Sequence, residues 1–197
     1  RGDGYNWYLC PNMEKEGLDN LNIRMALAKS YDKEAVTARI LKDGSSPMDF
    51  FVPVGLAANA KGTDFREDAG GAYDSWTYDV DKAKELWKKG LSEAGLSSLS
   101  LTLMCEDTDS AQAVAQFLQS EWQTNLEGLT VELQVLPKKA RLEYMQKGEY
   151  DVGLTRWGPD YADPMTDLDM WVTGSSTNYS RFSDPEYDET IKSAKVG

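Results

Sequence analysis

Between Leu99 and Arg156 the sequence alternates strand, helix, strand, helix, strand, and this run constrains the fold more than any other. Leu99 to Cys105 alternates apolar and polar side chains with the period of a strand. Asp109 is placed to cap a helix on which Val114, Ala115, Leu118, Trp122 and Leu126 make one face. Leu129, Val131, Leu133 and Val135 alternate with polar residues, as in a strand with one wetter face. Pro137 opens the next helix at its first turn, with Leu142 and Met145 facing inward and Gly148 ending it. Tyr150 to Arg156 then reads as a short buried strand. Strands joined by helical connections run parallel, with right-handed crossovers. The fold class is therefore α/β, a mixed sheet with helices on both faces around a largely parallel core.

The flanking segments supply further elements. Tyr5 to Cys10 reads as a strand ended by Pro11. Asp19 or Asn20 caps a helix reaching about Tyr31, with Ile23, Ala26, Leu27 and Ser30-Tyr31 on one face. Asp32 caps a second helix through Ala35, Val36, Arg39 and Ile40, stopped by Gly44. Asp79 caps a strong amphipathic helix with Val80, Ala83, Trp87, Leu91 and Ala94 on its stripe and Gly95 at its end. Asp184-Pro185 starts a last helix. Residues 45–78 show no sustained period and are punctuated by Pro47, Pro53, Gly55, Gly62, Gly70 and Gly71. A segment this long without periodicity is functional or mobile, and Phe50, Phe51, Tyr73 and Trp76 are its apolar anchors.

A chain of 197 residues with 41% hydrophobic and 27% charged content can bury a core as one globular domain. No apolar run is long enough to span a bilayer as a helix. The formal net charge of −12 argues against nucleic acid, which requires clustered Lys and Arg, and against adsorption to anionic lipid. The absence of His removes the commonest general base, and with it Ser/His/Asp and Cys/His catalysis within this chain. Neither a P-loop nor a dinucleotide-type glycine cluster is present, and no cofactor is called for. Cys10 and Cys105 both fall in strand-like runs and read as buried free thiols, with a single disulfide as the alternative.

Chemistry concentrates just after the last strand, where Trp157-Gly158-Pro159 breaks into a loop crowded with carboxylates and aromatics. Ligands of open α/β sheets bind beyond the carboxyl ends of the strands. Asp160, between Trp157 and Tyr161, therefore stands where such a fold meets its ligand. An anion flanked by aromatic faces suits an ammonium group on a partly apolar molecule. Trp171 and Tyr179 are further candidates for side-chain pockets. Asp163, Asp167 and Asp169 could ligate a hard cation, but their spacing fits no EF-hand loop, and Asp163-Pro164 reads as a turn with a helix cap, so no metal site is assigned. Surplus carboxylates leave a carboxylate-based hydrolase, such as a glycosidase, as the alternative in another class.

The run "strand, Trp157, two residues, Asp160, two residues, Asp163, Pro164" resembles the peptide-binding proteins of bacterial ABC importers, the large extracellular solute-binding class. The resemblance extends in order through 22–36, 78–87, 137–152 and 182–188. It implies one lobe of a two-lobe periplasmic-binding-protein-like fold spanning 1–197, with 45–78 wrapping the lobe and helping to form the cleft. It implies a substrate-binding component that takes di- or oligopeptides through the α-ammonium and backbone, without catalysis. The same fold binding a sugar or a metal chelate is the nearer alternative. Asp160 matches the family's ammonium-binding position, and Arg156, Trp157, Gly158, Pro159 and Tyr161 surround it. Some oligopeptide binders carry an Arg three residues before the Trp; here that position is Leu154, which leaves ligand length open. The partners implied are a peptide and a membrane permease, in an extracytoplasmic setting (periplasm or cell-surface lipoprotein). A lobe without its companion would present an aromatic cleft face, which favours self-association.

Overall fold

The computed structural model describes residues 5–48, 50–70 and 77–196. Its centre is a four-stranded mixed sheet. The strands are β1 (Asn6–Pro11), β2 (Leu99–Glu106), β3 (Leu129–Leu136) and β4 (Val152–Trp157), in spatial order β1-β4-β2-β3. β2 pairs in parallel with both β3 and β4, while β1 lies antiparallel on β4. The expected parallel core is therefore present, with an antiparallel strand at one edge. β4 begins at Val152 rather than at Tyr150. The Tyr150 hydroxyl donates to the Tyr179 carbonyl at 2.7 Å and lies 3.4 Å from Cys10 Sγ.

The connection from β2 to β3 is α5 (Asp109–Asn125), and that from β3 to β4 is α6 (Lys138–Lys147). The first crossover moves outward by one strand and the second returns past β2. Two such moves in opposite directions share one hand only if their helices lie on opposite faces. They do. Val114, Ala115, Leu118 and Trp122 of α5 join one core cluster with Leu101 and Leu103, while Met145 of α6 packs on the other face with Cys10 and Met104.

The first face carries the larger core. There α1 (Leu21–Lys29) and α4 (Val80–Ala94) pack against each other beside α5. Asn20 caps α1 by accepting from the Ile23 amide at 3.1 Å, and Asp79 caps α4 by accepting from the Lys82 amide at 2.9 Å. Burying a Leu or Ile of this cluster contributes about 1.5–3 kcal/mol. Trp87 and Trp122 are each 1% exposed, and each indole finds a carbonyl: Trp87 donates to Glu127 and Trp122 to Leu27. The outer edge of β3 is partly covered at Val131, whose amide donates to Gln123 and whose carbonyl accepts from Gln119, both on α5.

Several boundaries differ from the sequence reading for local reasons. Thr108, not Asp109, caps α5, its hydroxyl accepting from the Ala111 amide. Pro137 precedes the first turn of α6 with extended ψ of 148°. On α6 it is Arg141 that is buried with Met145, while Leu142 is only half-buried. The helix capped by Asp32 is α2 (Lys33–Ala35), which widens into a π-helical turn (Val36–Leu41). It ends on Lys42 at φ 53° rather than at Gly44. α1 stops at Lys29, two residues short of Tyr31. Within the aperiodic segment, a single turn, α3 (Phe65–Asp68), follows an isolated bridge between Ala58 and Asp64. Phe51 anchors it between the rings of Tyr8 and Trp171, at 4.9 and 5.1 Å, and Arg66 lies over Phe50. Tyr73 and Trp76 lie outside the described residues. Cys10 and Cys105 are both free and buried, on opposite faces of the sheet, and burial pushes the Cys10 thiol up to about 12. They are the inert thiols of a core.

The α1–α4 contact turns on Gly90. A Cβ there would lie 2.7 Å from Ile23 Cγ1 and 2.9 Å from the Ile23 backbone nitrogen. In an open helix Gly→Ala gains about 1 kcal/mol. Here the added methyl meets backbone that cannot swing aside, so Gly90→Ala should lower stability by about 2 kcal/mol or more. Urea unfolding midpoints measure this; an unchanged or raised midpoint would rule out the close approach.

Candidate functional site

At the carboxyl edge of the sheet, β2 hands on to α5 on one face while β4 hands on to a loop on the other. Adjacent parallel strands whose connections depart to opposite faces leave a crevice between their carboxyl ends. That crevice is present as a recess walled by Thr108 and Ser110 at the start of α5, by Thr155 and Arg156 of β4, by Trp7 of β1, and by Arg141 of α6.

Arg141 is the deepest polar group of this region, 2% exposed. Its guanidinium donates to Thr155 Oγ1 at 2.7 Å and to Glu106 Oε2 at 3.2 Å, which ties α6 to the ends of β4 and β2. Its Nε is buried without a protein partner among the described residues. Removing either member of a buried pair leaves an uncompensated charge, so this pair also fixes the spacing of the two strands. Nothing in the sequence pattern links Arg141 to Glu106, since they lie 35 residues apart.

Arg156 is exposed, with its guanidinium 5.2 Å from the centre of the Tyr5 ring and 5.7 Å from that of Trp7. Tyr5 also covers Gly158, where a Cβ would come within 2.7 Å of the ring. Arg156 and Gly158 therefore share one aromatic neighbour, contributed by the residue just before β1, distant in sequence. Trp157 is half-buried, and its Nε1 has no partner among the described residues. Pro159 is half-buried, and Asp160 and Tyr161 are exposed, Tyr161 at 52%.

Asp160 thus lies just beyond the carboxyl end of β4. Its amide donates to Thr166 Oγ1 at 3.1 Å, and Asp163 Oδ1 accepts from the Met165 amide at 2.8 Å. These bonds fold the loop back onto α7 (Met165–Leu168), which runs into a single 3-10 turn (Asp169–Trp171). Asp163-Pro164 is the turn and cap expected. Behind it, Asn178 is 3% exposed and binds three carbonyls through Nδ2, those of Trp171, Val172 and Phe182. Trp171 and Tyr179 pack into the core of the second face with Tyr8 rather than projecting from the edge. Asp163, Asp167 and Asp169 do not converge: Asp169 pairs with Lys195 at 2.6 Å, and no cluster suited to a metal ion occurs among the described residues.

Residues 1–179 match the family described as bacterial extracellular solute-binding proteins, family 5 Middle. The chain is 43% identical over 185 residues to a dipeptide-binding protein of Lactococcus lactis subsp. cremoris, covering 93% of this chain and 33% of that one. It is 32% identical to the dipeptide-binding protein DppE of Bacillus subtilis, over 93% of this chain and 33% of the relative. The chain therefore spans about a third of the length of the curated relatives it matches. Among solved structures, an oligopeptide ABC transporter substrate-binding domain from Bacillus anthracis superposes with a TM-score of 0.92 at 36% identity, over 98% of this chain and 38% of that one. Listeria monocytogenes OppA bound to peptide gives 0.89 at 33% identity, over 98% and 40%.

Asp167, directly beneath the loop, has distinctive chemistry. It is fully buried, and neither carboxyl oxygen has a protein partner among the described residues. Desolvation pushes its carboxyl up to about 6. An unfolded aspartate titrates near about 3.9, so between these values the folded chain holds a proton that the unfolded chain has released. Stability from this group is present below about pH 4 and lost as pH rises towards about 6. Asp167→Asn should therefore stabilise the fold by on the order of 1–3 kcal/mol at about pH 7, with the gain vanishing near about pH 3.5. Urea midpoints of both proteins at the two pH values supply the measurement. A pH-independent difference would mean that the carboxyl is not desolvated.

Proposed function

Because this chain belongs to the bacterial extracellular solute-binding proteins of family 5, we propose that it forms one lobe of the substrate-binding component of an ABC importer for di- or oligopeptides. In this reading the full-length protein works outside the cytoplasm, delivers its ligand to a membrane permease, and binds without turnover. The relatives named as dipeptide- and oligopeptide-binding proteins support peptides over a sugar, a metal chelate or a hydrolysable glycoside.

One observation carries the assignment within the site: the Asp160 carboxylate is exposed just past β4 while its own amide is held by Thr166. A receptor for peptides of many sequences can rely only on what peptides share. The backbone is held by strand-like hydrogen bonding, with side chains in permissive pockets. The α-ammonium requires a fixed carboxylate once the cleft excludes water, because an enclosed, unpaired cation costs several kcal/mol. Trp157 and Tyr161 flank that position, Gly158 and Pro159 shape the turn, and Arg156 is exposed near the end of β4, one residue before Trp157. Calorimetry on the full-length protein tests the role of Asp160. Asp160→Asn should cost about 2–5 kcal/mol for peptides with a free amino terminus and little for their N-acetylated forms. Equal weakening of both would remove the ammonium from Asp160.

The isolated chain behaves differently in this reading. One wall of a cleft leaves Asp160 in water, where an ion pair contributes about 0–1 kcal/mol. Peptide affinity of the 197-residue chain should then be about millimolar or weaker. Tyr5 and Tyr161, each about half exposed, leave aromatic surface in water, which favours self-association. Micromolar binding by the monomeric chain would show that a single lobe suffices.

A further inference from the structure

We propose that Thr166 is the positioning residue of Asp160, and that the preference of this site for a free peptide amino terminus depends on the Thr166 hydroxyl. The inference rests on the peptide-binding reading and deepens it by naming the group that turns an exposed carboxylate into an oriented one. Thr166 is itself 5% exposed and acts through Asp160.

Asp160 is exposed, and among the described residues its carboxylate accepts no hydrogen bond and joins no ion pair. Nothing therefore holds the carboxyl group itself, and its direction follows from the backbone that carries it. That backbone lies in a loop bracketed by Pro159 and Pro164, neither of which has an N–H to donate. At the far end of the loop the main chain closes on itself. The Asp163 amide donates to the Tyr161 carbonyl at 3.0 Å, and the Thr166 amide donates to the Asp163 carbonyl at 3.1 Å. The Asp160 amide reaches instead across the loop to a side chain, Thr166 Oγ1, at 3.1 Å.

Thr166 is suited to anchor that amide. A β-branched side chain is stiff about its first torsion, so the acceptor oxygen has few alternative positions. The short helix that carries it is pinned from below by α8 (Pro185–Val196). The Tyr187 hydroxyl donates to the Leu168 carbonyl at 2.5 Å, and Lys195 pairs with Asp169 at 2.6 Å. The Asp160 amide is thus tied to a fixed part of the lobe rather than to another mobile stretch of loop. Without Thr166 Oγ1 the amide would lose its partner, and a cleft that excludes water offers no replacement. The loop would turn to satisfy the amide elsewhere and would carry the carboxylate with it. A charge-assisted hydrogen bond to an ammonium depends on geometry, so the contact with the peptide amino terminus would weaken first.

The test is calorimetry on the full-length protein with a tripeptide of neutral side chains, in its free and its N-acetylated form. The ratio of the two dissociation constants measures the preference for a free amino terminus. Thr166→Val keeps the shape and removes the acceptor, and should lower that ratio about three- to tenfold, through the free peptide alone. Thr166→Ala removes the same acceptor and should match it, so either variant suffices once scanning calorimetry shows that it folds. Thr166→Ser keeps the oxygen and should restore most of the ratio. Beside Asp160→Asn, Thr166→Val should lower the ratio no further, because the carboxylate it positions is gone. If Thr166→Val weakens both peptides equally, changes neither, or keeps its full effect beside Asp160→Asn, this inference falls and the peptide-binding reading stands. If Asp160→Asn alone leaves the ratio unchanged, the ammonium does not lie at Asp160 and the inference falls with that assignment. If the wild type binds neither peptide, the peptide-binding reading falls as well.

Discussion

The parallel pairing of β2 with both β3 and β4 governs the rest of this molecule. A central strand with parallel neighbours on each side needs two crossovers that depart in opposite directions. One hand for both then places α5 and α6 on opposite faces of the sheet. The two faces acquire separate cores, a large one under α1, α4 and α5 and a small one under α6. The same geometry opens the gap between the ends of β2 and β4, because no connecting segment crosses it. The recess at that edge is therefore a by-product of the topology rather than a feature added to it.

Holding that edge open requires polar groups where apolar ones would close it. Arg141 bridges Glu106 and Thr155 across the gap, and a hydrophobic side chain of similar volume could pack there without fixing the two strand ends relative to each other. Loops leaving the edge are anchored in the same manner. Asn12 donates to the Gly148 and Tyr150 carbonyls at 3.0 and 2.9 Å, which seats the end of β1 against the turn that feeds β4. Asn178 gathers the carbonyls that follow the 3-10 turn. Each amide satisfies backbone groups that irregular segments would otherwise leave unpaired in a buried setting. Asp167 differs, a carboxyl buried beneath the loop after β4 with neither oxygen partnered among the described residues.

Much of this was legible in the residues. The alternation of Leu99, Leu101, Leu103, Leu129 and Val131 and the helical stripes around Trp87 and Trp122 mark elements whose side chains bury where their period says, whereas Val135, at the end of the same alternation, is 40% exposed. Asn20, Asp79, Gly95 and Gly148 mark helix ends because capping is local chemistry, decided within four residues. The misread positions share a cause. Leu142 was expected inside and Arg141 took the place, because a buried arginine depends on Glu106 and Thr155, which periodicity does not bring near it. Trp171 and Tyr179 read equally well as pocket residues or as packing, and Phe51, Tyr8 and Tyr150 engage them from segments distant in sequence.

The sequence by itself determined the succession of strands and helices, the α/β class, and the resemblance centred on Trp157 to Pro164 that places Asp160 beyond a strand end. Those are short-range properties, set by period, capping and turn chemistry. Only the tertiary structure decided which strands are neighbours and that the rings of Tyr5 and Trp7 lie against Arg156. It alone paired Arg141 with Glu106 and left Asp167 desolvated under the loop. Those outcomes depend on groups separated by tens of residues that meet only after the crossovers have closed. Single-residue chemistry can supply the parts of such a site, but the distances between them are set by packing.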